Sequence, residues 1–184
     1  MTWMIYGANG YTGELVARLA VARGERPVLA GRNAAAVGAL ATSLALDAKV
    51  VDLDNAKALR EAVEQVDAVA HCAGPFVRTA KPMVDACLAA GTHYVDVTGE
   101  PEVFEAVLAR DAEAAEAGIT LLTGGGFDVV PTDCLAGLLA AELPDATSLE
   151  IAFRAGGGLS RGTALTGLDM AAGGALKIRR AKSG

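Results

Sequence analysis

Six short apolar runs punctuate the chain, at residues 3–6, 27–30, 49–51, 68–71, 94–97 and 119–122, and none alternates cleanly between apolar and polar. A strand wet on one face has to alternate, so runs of this kind belong to strands covered on both faces. Stretches with helical spacing lie between them. In the first, Leu15, Val16 and Leu19 share a face and Gly24 stands where a C-cap falls. In a later one Pro101 fits the first turn, Phe104, Val107 and Leu108 form the stripe, and Gly118 closes it. Strand and helix in alternation predict an α/β fold, a doubly wound parallel sheet with helices on both faces. Composition agrees. Hydrophobic residues make up 52% of the 184 but aromatics only 4%, so the core is built from Ala, Val, Leu and Ile at close backbone approach. That suits helices on a parallel sheet better than a sandwich or barrel.

A helix from about 131 to 143 is expected to end the sheet domain, which we place at residues 1–147. The segment "SLEIAFRAGG" then reads as a strand opening a second unit. Residues 148–184 hold too few large apolar side chains to complete a core. They are expected to be the beginning of an incomplete second domain or, alternatively, a flexible C-terminal arm. The net charge of −6 argues against nucleic acid or an anionic membrane surface as a partner. Three widely spaced cysteines, Cys72, Cys87 and Cys134, read as reduced thiols of a cytoplasmic protein. No signal peptide is visible, and no apolar run approaches the ~20 residues of a membrane span.

The first strand runs into "GANGYTG", which sets Gly7, Gly10 and Gly13, with Asn9, Tyr11 and Thr12 between them, at the entry to the first helix. A tight turn, a backbone close to a pyrophosphate and a helix packed near its strand each call for glycine there. Helix N-terminal N–H groups and the dipole would hold the phosphates. Glycines also punctuate ordinary turns, but the strand before and the helix after favour dinucleotide binding in a Rossmann-type domain. After the second strand come Gly31, Arg32 and Asn33, with no acid to take a ribose 2′-hydroxyl. A guanidinium there suits a 2′-phosphate, so the expected cofactor is NADP(H); the plainer role for Arg32 is a solvated residue at a helix start. Asp52 and Leu53 follow the third strand, near where an adenine would lie, and Asp52 is equally suited to capping the next helix.

The fourth run ends in "HCAGPF", where Cys72, Ala73, Gly74, Pro75 and Phe76 suit a loop pressed against a flat ligand. The fifth delivers Asp96, Thr98 and Glu100, and the sixth ends in "GGGFDVVPTD". These connections all fall at the carboxyl ends of the strands, where open parallel sheets bind ligands.

Taken together, "GANGYTG", "AGRN", "CAGPF", "YVDVTGE" and "GGGFDVVPTD" resemble the saccharopine dehydrogenase-like oxidoreductases, in that family's order and approximate spacing. The likeness covers residues 4 to about 150 and continues into "SRGTALTGLD". It implies an NADP-binding Rossmann domain followed by a substrate and dimerisation domain, with a homodimer formed through the latter. Carried onto this chain, it implies pyrophosphate at Gly7 to Gly13, the 2′-phosphate at Arg32, and nicotinamide ribose against Cys72 to Phe76. Short-chain dehydrogenases share the glycine pattern, but the Tyr-x-x-x-Lys pair they need is absent at Tyr94 and Tyr11.

Hydride transfer asks the protein for positioning and a proton. Candidate proton donors are Asp96, Glu100, Asp128 and Asp133, each with a bland alternative as a turn cap or a partner of a helix dipole. His71 and His93 read as packing residues, and no His/Cys/Asp cluster has metal spacing. The expected activity is hydride transfer to or from an imine (amino-acid-like) or enoyl small molecule. The competing reading is a non-catalytic NADP-binding sensor or partner module.

Overall fold

The computed structural model describes residues 1–127 and 129–152. Asp128 and residues 153–184, with most of the expected second unit and the "SRGTALTGLD" likeness, lie outside the described residues. Residues 148–152 form no strand.

Six strands form one sheet: β1 (Trp3–Tyr6), β2 (Val28–Gly31), β3 (Ala48–Val50), β4 (Ala68–His71), β5 (His93–Asp96) and β6 (Leu121–Leu122). All neighbours are parallel, in the order β3-β2-β1-β4-β5-β6. The helices are α1 (Tyr11–Ala22), α2 (Ala34–Leu44), α3 (Ala56–Val63), α4 (Phe76–Ala90), α5 (Pro101–Leu108), α6 (Asp111–Ala117) and α7 (Val130–Glu142). This is a Rossmann-type doubly wound sheet. Winding runs outward from β1 through β2 to β3, then restarts at β4 on the other side, so the crevice of reversal lies between β1 and β4.

Register sorts the side chains into two layers. Met4, Val69 and Tyr94 stand opposite one another and are buried against Leu59 and Val63 of α3, Met83 and Val84 of α4, and Val103 and Val107 of α5. On the other face Ile5 and Leu29 meet Ala17 of α1 and Val37 and Leu40 of α2.

Two helix expectations need correction. In α1 the buried residues are Gly13, Ala17 and Ala20, while Leu15 and Leu19 are each 52% exposed. The close approach of α1 to β1 leaves room only for small side chains on the inner face, so the leucines look outward. Gly24 does close the helix, at φ +82°: its N–H bonds to Val21 and that of Glu25 to Ala20, the Schellman pattern. The stretch from Pro101 to Gly118 is two helices, broken at Ala109 and Arg110. The break turns Val103 and Val107 as well as Ala114 into the core and leaves Leu108 exposed. Arg110 sits at the bend, paired with Asp85 and Glu113.

Candidate cofactor site

The first loop is built by contact with the chain itself. Gly7 has φ +82°, and a Cβ there would lie 2.8 Å from Ala73 Cβ and 2.9 Å from the Cys72 carbonyl carbon. Gly13 is closed off by the Gly7 carbonyl oxygen and by Ala8 Cα, at 2.8 Å from the position of a Cβ. Gly10, the N-cap of α1, accepts from Glu14 N–H and donates to the Gly7 carbonyl. The glycine spacing is thus explained by one loop folded against β4's end on one side and its own helix on the other.

That loop leaves α1 open at its start. No side chain caps it, so the first-turn N–H groups of Tyr11, Thr12 and Gly13 have neither a side-chain nor a helical acceptor. The next three helices differ. Asn33 Oδ1 accepts from Ala36 N–H at 3.1 Å, Asn55 Oδ1 from Ala58 N–H at 3.1 Å, and Glu100 takes the first two N–H groups of α4. Among α1 to α4, only α1 is left for an external anion, and the residues present fit a pyrophosphate.

At the end of β2, Gly31 lies against the Asn9 side chain, whose Oδ1 would be 3.2 Å from a Cβ at 31. Arg32 is exposed and joins no hydrogen bond or ion pair among the described residues, while Asn33 is the α2 cap. Beneath Arg32, buried Tyr6 donates from Oη to the Val51 carbonyl at 3.1 Å. Burial, with Asp52 nearby, pushes its hydroxyl up to about 12. Asp52 is exposed and accepts from Asp54 N–H at 3.1 Å in a local turn; the α3 cap is Asn55, not Asp52. Leu53 packs half-buried against the core.

Cys72, Ala73 and Pro75 are half-buried, Gly74 is exposed and Phe76 is buried. Burial raises the Cys72 thiol to about 12, so it carries no thiolate. Behind this loop His71 is fully buried, caged by Tyr6 and Tyr94 and with Phe76 edge-on at 5.4 Å. Neither ring nitrogen has a partner at full hydrogen-bond geometry; burial drives its pKa from 6.5 to about 3, opposed only by the nearby Thr79 backbone. His71 is a neutral core residue. His93 is also structural, with Nδ1 accepting from Thr120 N–H at 3.0 Å.

The carboxylates at the end of β5 are organised inward. Asp96 is fully buried. Its Oδ2 accepts from Tyr94 Oη at 2.7 Å, and its Oδ1 from Thr98 N–H at 3.0 Å and Gly124 N–H at 2.9 Å. Burial holds its carboxyl above the usual range, opposed by those three donors. Gly124–Gly126 are shaped by the same neighbourhood. A Cβ on Gly124 would strike the Phe104 ring, on Gly125 Val95 Cγ2 at 2.9 Å, and on Gly126 Val97 Cβ at 3.1 Å. The glycines follow from packing against β5 and α5. Asp133 is exposed in the first turn of α7, away from Asp96's buried cluster. Sequence reasoning missed the capping role of Glu100 altogether. The signal was Pro75 before α4, a residue that leaves the next N–H groups without a cap of their own.

Among the described residues no three His, Cys, Asp or Glu side chains gather as a metal site, and no helix is long and apolar enough to cross a membrane. Residues 3–122 match the family described as the saccharopine dehydrogenase NADP-binding domain. A Mycobacterium tuberculosis protein bearing the name of a trans-acting enoyl reductase is 34% identical over 183 residues, 91% of this chain and 43% of that protein. The mouse saccharopine dehydrogenase-like oxidoreductase is 31% identical over 150 residues, 71% of this chain and 35% of the relative. The chain therefore spans less than half the length of these relatives. Yeast saccharopine dehydrogenase (L-Glu forming) shares the fold, with a TM-score of 0.64 at 22% identity over 77% of this chain and 30% of that one. On the fold, the open α1 terminus and the match over 3–122, the chain belongs to the saccharopine dehydrogenase NADP-binding domain family, and its cofactor is NADP(H).

Proposed function

We propose that this chain is the cofactor-binding part of an NADP(H)-dependent oxidoreductase acting on an imine (amino-acid-like) or enoyl small molecule. The observation that carries the reading is the glycine loop. It presses on Cys72 and Ala73 at the β1/β4 crevice and leaves α1 uncapped beside Arg32. When bound, NADP(H) supplies or accepts the hydride. The chain's own residues do the rest. N–H groups of Tyr11, Thr12 and Gly13 hold the pyrophosphate, Gly10 and Asn9 shape the turn, and Arg32 grips the 2′-phosphate beside Gly31 and Asn33. Asp52 and Leu53 border the adenine, and Cys72 to Phe76 flank the nicotinamide ribose.

Asp96 is enclosed and used three times over, so among the described residues Asp133 is the exposed candidate proton donor, and Asp128 stays a candidate outside them. Residues 1–147 form the cofactor domain in this reading. Residues from 148 begin a substrate and dimerisation domain, through which two copies pair in the cytoplasm. The test is NADPH oxidation by the full-length protein with a panel of imines and enoyl thioesters, followed by loss of the reduced-nicotinamide absorbance. Turnover with one class assigns the substrate. NADPH binding without oxidation by any class favours the sensor or partner-module reading instead.

A further inference from the structure

Glu100 is the N-cap of α5, yet its carboxylate serves another helix. Oε1 accepts from Phe76 N–H at 3.1 Å and Oε2 from Val77 N–H at 2.6 Å, the first two residues of α4. The α4 N-cap is Pro75, whose side chain has no acceptor to offer. Glu100 is 5% exposed, so this is an enclosed cap. It is itself held in line. Glu100 N–H donates to Thr98 Oγ1 at 3.0 Å, and Thr98 N–H donates to Asp96 Oδ1 at 3.0 Å. A chain of hydrogen bonds thus runs from the end of β5 to the start of α4.

What hangs between those points is the loop 72–75. On one side Gly7 abuts Cys72 and Ala73; on the other the loop enters α4 at the residues Glu100 holds. Thr79 Oγ1 ties it again, donating to the Ala73 carbonyl at 2.6 Å. We propose that Glu100 is a positioning residue for the nicotinamide half of the cofactor. It sets the distance between loop 72–75 and the glycine loop through the first N–H groups of α4, and it touches no ligand atom. The inference rests on the reading that NADP(H) lies along the glycine loop.

The chemistry asks for a full-length carboxylate. A buried carboxylate matches both the positive end of α4 and two parallel N–H donors. Glutamine keeps one acceptor and sets its NH₂ against the second N–H. Aspartate keeps the charge but is one methylene short.

The test compares NADPH with 2′,5′-ADP, which carries the adenosine and 2′-phosphate but no nicotinamide, by calorimetric titration of the whole chain. Glu100→Gln is expected to weaken NADPH about tenfold while 2′,5′-ADP stays within about twofold, because one charge-assisted bond is lost far from the adenine half. Glu100→Asp should behave closer to Gln than to wild type. If Glu100→Gln does not fold, Thr98→Val loosens the same carboxylate through its backbone and is expected to give a smaller loss, about threefold, for NADPH alone. Equal losses for both ligands would reduce Glu100 to a fold-holding residue and overturn the proposal, as would unchanged NADPH binding in a folded variant. Wild-type protein that binds neither ligand refutes the cofactor reading itself and takes this proposal with it.

Discussion

Arg32 and Gly7 show how differently single residues contribute to one site. Arg32 is exposed and joins no ion pair among the described residues, so its removal disturbs little but a ligand phosphate. Charge-assisted hydrogen bonds contribute roughly 1.5–3 kcal/mol. Arg32→Ala is therefore expected to weaken NADPH tenfold or more and leave NADH nearly unchanged, as read by fluorescence titration. Equal loss for both would remove Arg32 from the 2′-phosphate. Gly7 is the opposite case. Its left-handed backbone and the 2.8 Å approach of Ala73 mean that Gly7→Ala strains the loop even without ligand. That variant should lose about 2 kcal/mol of stability in denaturant titration and bind NADPH more weakly. A melting profile identical to wild type would show that the loop has slack.

Elements were legible in the sequence where one strand or helix carried its own signal. β1 and β4 fall where the unbroken apolar runs put them, because a strand buried on both faces needs no partner to declare itself. The inner face of α1 did not, since apolar spacing cannot tell which stripe a close-packed strand admits. Nor did the purpose of Gly124–Gly126, whose reasons are Phe104, Val95 and Val97, residues distant in sequence. The role of Asp96 was hidden the same way. At a ligand-binding edge it reads as a candidate proton donor, and its hydrogen bonds also tie β5 to the loop after β6. Asparagine replaces it only in part: Oδ1 still accepts from Thr98 and Gly124, but Nδ2 cannot accept from Tyr94, whose buried O–H loses its acceptor. Asp96→Asn is thus expected to cost about 1–3 kcal/mol, while Asp96→Ala orphans the buried Thr98 and Gly124 N–H groups as well and costs more. Turnover of the full-length protein should survive the Asn change. Lost turnover in an Asn variant that is still folded under assay conditions would return Asp96 to the list of proton donors.

At the scale of the whole sheet, His71 is a fully buried titratable group on a central strand. His71 lies between β1 and β5, where the sheet reverses its winding, under the cage of Tyr6, Phe76 and Tyr94. Burial lowers its folded pKa to about 3, against 6.5 when the ring is free. The sign follows directly. Above 6.5 both states are neutral and the residue's full contribution to stability is present. As pH falls below 6.5 the unfolded chain takes a proton that the folded chain refuses, and stability drops by up to about 1.4 kcal/mol per pH unit until about pH 3. Carboxylates titrate in the lower part of this window, so the clean measurement is a difference. His71→Phe keeps an aromatic ring in the cage and removes two unpartnered nitrogens, and is expected to be neutral or stabilising at pH 7. Urea titrations of both proteins from pH 7 downward should diverge, the variant gaining on wild type by about one proton's worth of slope from 6.5 downward. Parallel profiles would mean that His71 finds a proton acceptor or water when folded, and the closed aromatic cage would be wrong.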